Sequence, residues 1–413
     1  MATSSHITNP GRVAFAYPDF LRYQIARFCI VTSLEMLSVA VGWQVYDITH
    51  RALDLGLVGL AQFLPGIFLF LVSGHTADRF DRRRMLIVCY AGFALCSALL
   101  LAVSPLRAVY PIYAVLLLLG VVRSFNGPVS RSLLPQLVPE QHFPNAVAWN
   151  SSIFQTATIL GPAMGGLVYA FSRGASAVYA IAFLVSIAAV LSTLRIKLRT
   201  KSRPREVVNW TTVLAGFRYI WHQKIILGSI SLDMFAVLLG GSVALLPVYA
   251  REILHTGPWG LGLLRSAPGV GATVMAVLLA HRPLRKHVGA TMLWCVAGFG
   301  VFTIIFAVSR SIVLSMIALL FVGATDMVSV VIRGTLVQLG TPDSMRGRVN
   351  AVDMLFIGVS NEFGEFESGL TAHWFGTVPA VALGGIGTLI VIAIWAGIFP
   401  ELRKADQITG VQS

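Results

Sequence analysis

G-H-T-A-D-R-F-D-R-R-R, Gly74 to Arg84, lies between two hydrophobic stretches that are each long enough to cross a bilayer. Such a run cannot sit in hydrocarbon, because each Asp or Arg at the bilayer centre costs at least about 2.5–3.5 kcal/mol. It therefore reads as a tight, charged turn between two membrane helices, on the face where basic residues collect. An ordinary anchoring loop needs a few Lys or Arg in no particular order. Here a glycine stands at the helix exit, followed by two acids and four arginines within eleven residues. That order suggests a latch between moving parts.

The rest of the chain agrees. Of its 413 residues, 56% are hydrophobic and 12% charged, where a soluble domain carries about 25% charged residues. Apolar runs of about 20 residues give twelve expected spans, at 22–47, 55–76, 85–104, 108–128, 146–171, 175–195, 225–250, 258–280, 288–308, 311–332, 350–373 and 379–399. The expectation is an all-α membrane protein with twelve transmembrane helices.

The net charge of +13 would suit a nucleic-acid binder, but its placement argues otherwise. With the N-terminus inside, the odd-numbered loops carry about one basic residue each (Arg51, Arg107, Arg173, Arg251, Arg310), and the last, around His373, has none. The even loops hold Arg79, Arg82, Arg83 and Arg84, a block from Arg195 to Lys224, then Arg282, Arg285, Lys286, Arg346 and Arg348. This positive-inside pattern puts both termini in the cytoplasm and accounts for the basic charge through the lipid bilayer, with no nucleic acid. The first twenty residues are polar and show no cleavable signal peptide. Cys29, Cys89, Cys96 and Cys295 all fall within expected spans and read as small, inert apolar residues.

The chain reads as two related halves. After an N-terminal segment at 1–20, a six-helix bundle occupies 21–196, a cytoplasmic linker 197–224, a second bundle 225–400 and a tail 401–413. The linker is basic at first and then amphipathic, which suits a helix lying at the membrane surface. Arg131-Ser-Leu-Leu-Pro-Gln-Leu, Pro139-Glu140 and Asn145-Ala-Val are echoed by Arg333-Gly-Thr-Leu-Val-Gln-Leu, Pro342-Asp343 and Asn350-Ala-Val, at an offset drifting from 202 to 205. Parallel repeats of this kind bind substrate near the midplane and alternate access by rocking.

Several motifs carry a family resemblance. Gly74, Asp78, Arg79, Arg82 and Arg83 resemble the loop-2/3 signature of the major facilitator superfamily, G-x-x-x-D-R-x-G-R-R, with Asp81 where that family usually has glycine. Gly161-Pro162-Ala163-Met164-Gly165-Gly166 resembles the helix-five motif of its antiporters, with Ala157 in place of a further glycine. Arg123, three residues after Gly120, resembles the helix-four arginine that the family implicates in proton coupling. Asp326 takes the equivalent place after Gly323. Longer strings, such as V-A-V-G-W-Q-V-Y-D and N-E-F-G-E-F-E-S-G, resemble the bacterial branch that includes an enterobactin (siderophore) exporter and predicted multidrug efflux proteins. The resemblance runs from about Tyr17 to Arg403 and implies proton-driven export.

The buried acids are the natural carriers of coupling. Glu35, Asp233, Asp326, Glu362 and Glu365 fall inside expected spans, whereas Asp47 and Asp353 lie near span ends and are expected to face headgroups or water. A carboxyl held in low dielectric beside another carboxylate can load and release a proton at physiological pH. Alternatively, these acids pair with Arg27, Arg123, Arg265 or Arg333. No H-E-x-x-H, G-x-S-x-G or phosphate-cradling loop is present, nor Cys/His metal spacing, so neither an enzyme nor a metal site is expected. The resulting expectation is a proton:substrate antiporter of the bacterial inner membrane, acting as a monomer on a small hydrophobic or siderophore-like compound. It would use the proton gradient with no cofactor and no ATPase subunit. An importer, a lipid transporter and a membrane sensor remain as alternatives.

Overall fold

The computed structural model describes residues 10–197, 210–282, 284 and 286–404, leaving aside the side chains at 10, 70, 71, 74, 75, 77–79, 210–213, 343 and 344. Among the described residues every regular element is helical. Six long helices come first: α1 Pro18–Thr49, α2 Ala52–Arg79, α3 Arg82–Val103, α4 Val109–Leu133, α5 Phe143–Ser172 and α6 Ala175–Leu194. Then follow α7 Trp210–His222, α8 Lys224–Gly240, α9 Leu246–Val248, α10 Gly257–His281 and α11 Val288–Val308. The chain closes with α12 Ile312–Leu339, α13 Asp343–Phe375, α14 Thr377–Ile398 and α15 Pro400–Arg403. Among the described residues, eleven helical segments are long and apolar enough to cross a membrane. The expected span at 350–373 lies in α13, which carries Asp353, Glu362, Glu365 and Glu367 and falls outside those eleven.

Short connections punctuate these helices. His50, Arg107, Arg173 and His255 take left-handed backbone at helix ends, the conformation that stops a helix by turning its last carbonyls. The turn after α2 works differently. Asp81 has ordinary extended backbone (φ −60°, ψ 114°), and its carboxylate accepts the Arg84 backbone N–H at 3.0 Å. The acid found in place of the family's glycine is thus the N-cap of α3.

The chain divides into two compact units. The first takes residues up to Ala40 and from Leu64 to Val207; α3 packs on α4 and α6 around the fully buried Leu86, Tyr90, Phe93 and Tyr179. Arg83 reaches the end of α6, donating to the Leu194 carbonyl, and so ties the charged turn to the unit.

The second takes Val41–Phe63 with everything from Val208 on. Its largest packing faces are α10 on α12 and α11 on both α12 and α14. The far end of α1 belongs here: Asp47 pairs with Arg251, and Tyr46 donates its hydroxyl to Glu252. The expected continuous span 225–250 is broken. Gly240 ends α8, Gly241 is extended (φ −70°, ψ 100°), and helical turns resume from Val243 to a π-turn at Tyr249–Ile253. Two glycines weaken the helix there, and Pro247 has no N–H to offer the carbonyl four residues back. Irregular backbone at membrane depth must be re-satisfied inside the protein, and the Ser368 hydroxyl of α13 donates to the Gly241 carbonyl. The amphipathic α7 packs Gly216 against the Arg348 carbonyl of α13, buries Ile220, and leaves Leu214 and Trp221 exposed.

Candidate functional site

In the second unit, α8, α12 and α13 bring carboxyls around one guanidinium. Arg333 Nη1 lies 3.2 Å from Asp233 Oδ2 and 3.1 Å from Asp353 Oδ1. Ser329 donates its hydroxyl to Asp233 Oδ1 at 3.3 Å. Asp326, Ser329 and Arg333 fall on one face of α12 at helical spacing, and Asp326 is close enough to interact with both Asp233 and Arg333. The setting is apolar: Leu232, Ala236, Val328, Ile332 and Leu336, neighbours of these residues in sequence, belong to one buried cluster. Asp233 and Arg333 are only 5% and 4% exposed. Charges in such a place interact far more strongly than at a surface.

Sequence reasoning picked out Asp233 and Asp326 but misplaced Asp353, which the structure turns inward onto Arg333 instead of leaving it to headgroups or water. Arg333, one of the four arginines named in the sequence as an alternative partner for the buried acids, takes that place here. Glu362 and Glu365 lie further along α13, about 13 and 18 Å from Asp353 by helical rise. There Glu365 packs over Gly59 of α2, where a Cβ would meet its Oε2 at 2.7 Å. Glu367, on another face, accepts the Thr371 hydroxyl at 2.7 Å.

In the first unit, Glu35 meets the helix-five motif. A Cβ on Gly161 would lie 2.5 Å from Glu35 Cβ, and one on Gly165 would lie 2.9 Å from the Met36 Cα. The small residues of Gly161, Pro162, Gly165 and Gly166, all buried, thus let α5 cross α1 at the level of Glu35. Arg123 is exposed on α4. Of the charged turn, Arg82 is buried and Arg83 holds α6; the side chains of Gly74, Asp78 and Arg79 lie outside the described residues.

A second constellation in this unit was not foreseen. Arg27 of α1 and Arg131 of α4 line a cavity of about 420 Å³ whose wall also includes Asn126, Asn150, Tyr90 and Phe154. Its volume falls in the range of small-molecule sites. Arg27 Nη1 donates to the Tyr23 hydroxyl at 3.3 Å, and its guanidinium lies over the Phe154 ring, 5.4 Å from the centroid. Tyr23 in turn donates to the Ser130 carbonyl at 3.1 Å.

A family model described as a transmembrane secretion effector, MFS_3, matches residues 20–412. The chain belongs to that family. It is 26% identical over 404 residues to the enterobactin exporter EntS of Salmonella typhi, spanning 95% of this chain and 94% of that one. The Citrobacter koseri protein of the same name is 27% identical over 404 residues, with the same coverage of each chain. Among solved structures, the D-xylose-proton symporter superposes with a TM-score of 0.70 at 15% identity, covering 94% of this chain and 99% of that one. A bacterial homologue of the iron transporter ferroportin, inward-facing, gives 0.68 at 13%, covering 94% and 98%. These structures speak for the fold alone. The protein is a multi-pass membrane transporter of the major facilitator type, and not an enzyme.

Proposed function

We propose that this transporter is a proton-driven exporter of a small organic compound, hydrophobic or siderophore-like, across the bacterial cytoplasmic membrane. It works as a monomer with no cofactor. In this reading α13 is the twelfth span, both termini are cytoplasmic, and the segment around α7 is the linker between two six-helix bundles. The exporter direction is supported by the likeness to proteins named as enterobactin exporters.

The observation that carries the coupling is the excess of carboxyls around Arg333. Asp233, Asp326 and Asp353 bring three negative charges to one positive charge in an apolar setting. Uncompensated buried charge is costly, whereas a protonated carboxyl is not. The excess is met by protons, and the number bound differs between states that open the cluster to one side of the membrane or the other. Protons arriving from outside favour one state and their release inside favours the other, so the gradient turns the cycle. Glu35, Glu362 and Glu365 are further stations for the proton or the substrate. Arg123 is a second cation on the pathway. Asp78, Arg79, Arg82 and Arg83, entered through Gly74, form the cytoplasmic latch, and the crossing at Gly161, Pro162, Gly165 and Gly166 is where α5 flexes against α1.

The test is substrate-triggered proton flux in liposomes with an imposed pH gradient and an internal pH dye. Catechol siderophores, lipophilic cations and neutral antibiotics are added in turn. Flux with some compounds, abolished by Asp326→Asn, is the expected result. Silence across the panel from folded protein would overturn the exporter reading and favour an importer or a sensor.

A further inference from the structure

We infer that Arg265 of α10 is a substrate subsite, the cation that receives the carboxylate or other anionic group of the compound carried. The inference rests on the transporter reading and names the class of that compound, an organic anion.

α10 is one of the helices long and apolar enough to cross the membrane, and at helical spacing it shows three faces. Trp259, Val270, Val274 and Val277 form the first, apolar and exposed, the row that meets lipid. Leu261 and Leu264, both fully buried, share the second with Pro268 and Gly271, which lie against α12. Arg265 lies on the third with Gly269, Ala272 and Thr273, all partly exposed. It is at least about 120° round the helix from every member of the lipid row.

Gly269 is the middle residue of α10, so Arg265 stands about 6 Å from it along the axis. A charge at that depth is costly against hydrocarbon, and such residues face bundle interiors or water-filled cavities. Most buried cations also have a partner. Among the described residues Arg265 makes no ion pair, hydrogen bond or ring contact. The acids of its own unit are engaged elsewhere: Asp233 and Asp353 with Arg333, Asp47 with Arg251, and Glu252 with the Tyr46 hydroxyl. A partly exposed guanidinium, turned from lipid and given no counter-charge, suits a planar anion, which it takes through two parallel N–H donors. The small side chains inward of it leave room for an organic body, and the Thr273 hydroxyl is spent on the Gly269 carbonyl at 2.8 Å.

The site is also joined to the proton cluster. Pro268 is three residues from Arg265, and Gly323 is three from Asp326. These two meet backbone to backbone: a Cβ on Gly323 would lie 1.9 Å from the Pro268 carbonyl oxygen, and one on Gly271 would lie 1.8 Å from that of Leu320. So close a crossing fixes α10 to the helix that carries Asp326.

The test is equilibrium binding to the full-length protein in phosphatidylcholine nanodiscs, with 2-naphthoate and its uncharged isostere 2-naphthamide as probes. The acid is expected to bind at least about tenfold more tightly. Arg265→Gln should erase that preference and leave amide binding as it was. Its unfolding temperature should be unchanged or raised, since no partner loses a charge. Arg265→Lys should keep part of the preference, because the charge survives and the fork does not. Should Arg265→Gln fail to fold, Ala272→Leu, on the same face, is expected to weaken both probes alike.

Equal binding of acid and amide, a preference that survives Arg265→Gln, or unaltered binding of both probes to Ala272→Leu would overturn the proposal. A lowered unfolding temperature in Arg265→Gln would do so too, by revealing a structural counter-charge. Loss of the preference when phosphatidylglycerol replaces part of the lipid would assign the site to a lipid headgroup instead. Proton flux with other compounds but no naphthoate binding removes this subsite and leaves the exporter reading intact. Charge-selective binding with no flux from any compound does the reverse.

Discussion

Arg131 and Arg333 occupy corresponding places in the two repeats, at the start of R-S-L-L-P-Q-L and R-G-T-L-V-Q-L. Their surroundings differ. Arg333 is buried in the second unit among Asp233, Asp353 and Asp326. Arg131 is exposed on the wall of a cavity in the first, and the other ionisable group with a full charge there is Arg27. Eight residues before Arg131 stands Arg123, and seven before Arg333 stands Asp326, each three residues after a glycine. One backbone plan thus holds two electrostatic designs. A repeat fixes where a side chain stands, and the partners contributed by neighbouring helices fix what it does. The second unit gathers three carboxyls around its arginine, and the first places its arginine on a cavity wall with Arg27.

The strongest way to break this contrast is to remove the guanidinium that gathers the acids. Arg333→Leu leaves Asp233 and Asp353 facing each other in an apolar cluster with no cation. Removing one partner of a buried ion pair costs about 3–5 kcal/mol, and a loss of that size is expected in thermal unfolding of the purified protein. Adding Asp233→Leu should restore part of it, because the second change removes a charge that the first left stranded. Unfolding unchanged in Arg333→Leu would mean that the three carboxyls do not depend on this residue.

Packing offers a second contrast, between α5 and α13. On α5, Gly165 presses against the Met36 backbone of α1; on α13, a Cβ at Gly358 would meet nothing within 4 Å. Gly165→Leu should therefore destabilise the protein by about 1–3 kcal/mol, the usual cost of overpacking. Gly358→Leu should change stability by less than about 0.5 kcal/mol. Similar unfolding temperatures for the two variants would show that the helix-five crossing tolerates side chains, and would remove packing as the reason for its glycines.

Much of this was legible in the sequence, for identifiable reasons. Hydrophobic length marks a membrane helix, and charge marks its ends, so α2 and α3 could be placed on either side of Gly74–Arg84; the helix exit expected at Gly74 is not there, because α2 stays helical to Arg79 and the turn narrows to Phe80 and Asp81. The small residues at 161, 165 and 166 announced a close crossing, although not that α1 and Glu35 were on its other side. Periodicity gives the face a residue points from and never the helix it points to. That is why Asp353, near a span end, read as an interfacial acid, and why Arg27 read as an ion-pair partner. Its actual neighbours, Tyr23 and Phe154, are one turn away on its own helix and 127 residues off on another. The break after Gly240 was obscured by a run whose average hydropathy is high enough for a continuous span.

The smallest expected effect concerns how each half starts its third helix. In the first unit Asp81 caps α3 with its carboxylate on the Arg84 N–H. At the corresponding start of α11, His287 has left-handed backbone (φ 53°) and no side-chain cap. Asp81→Ala should lower stability by about 1 kcal/mol, and Asp81→Gly by only a few tenths, because glycine is itself a fair N-cap. His287→Asn should raise it by a few tenths, since asparagine accepts left-handed backbone more readily and can cap. The glycine variant also bears on the charged turn: with Gly at 81 the motif matches the family pattern more closely, so a change in transport rate without a change in stability would show that the acid acts on the latch. If transport and stability instead fall together in Asp81→Ala and recover together in Asp81→Gly, the acid's work is capping, and the latch belongs to Asp78 and the arginines alone.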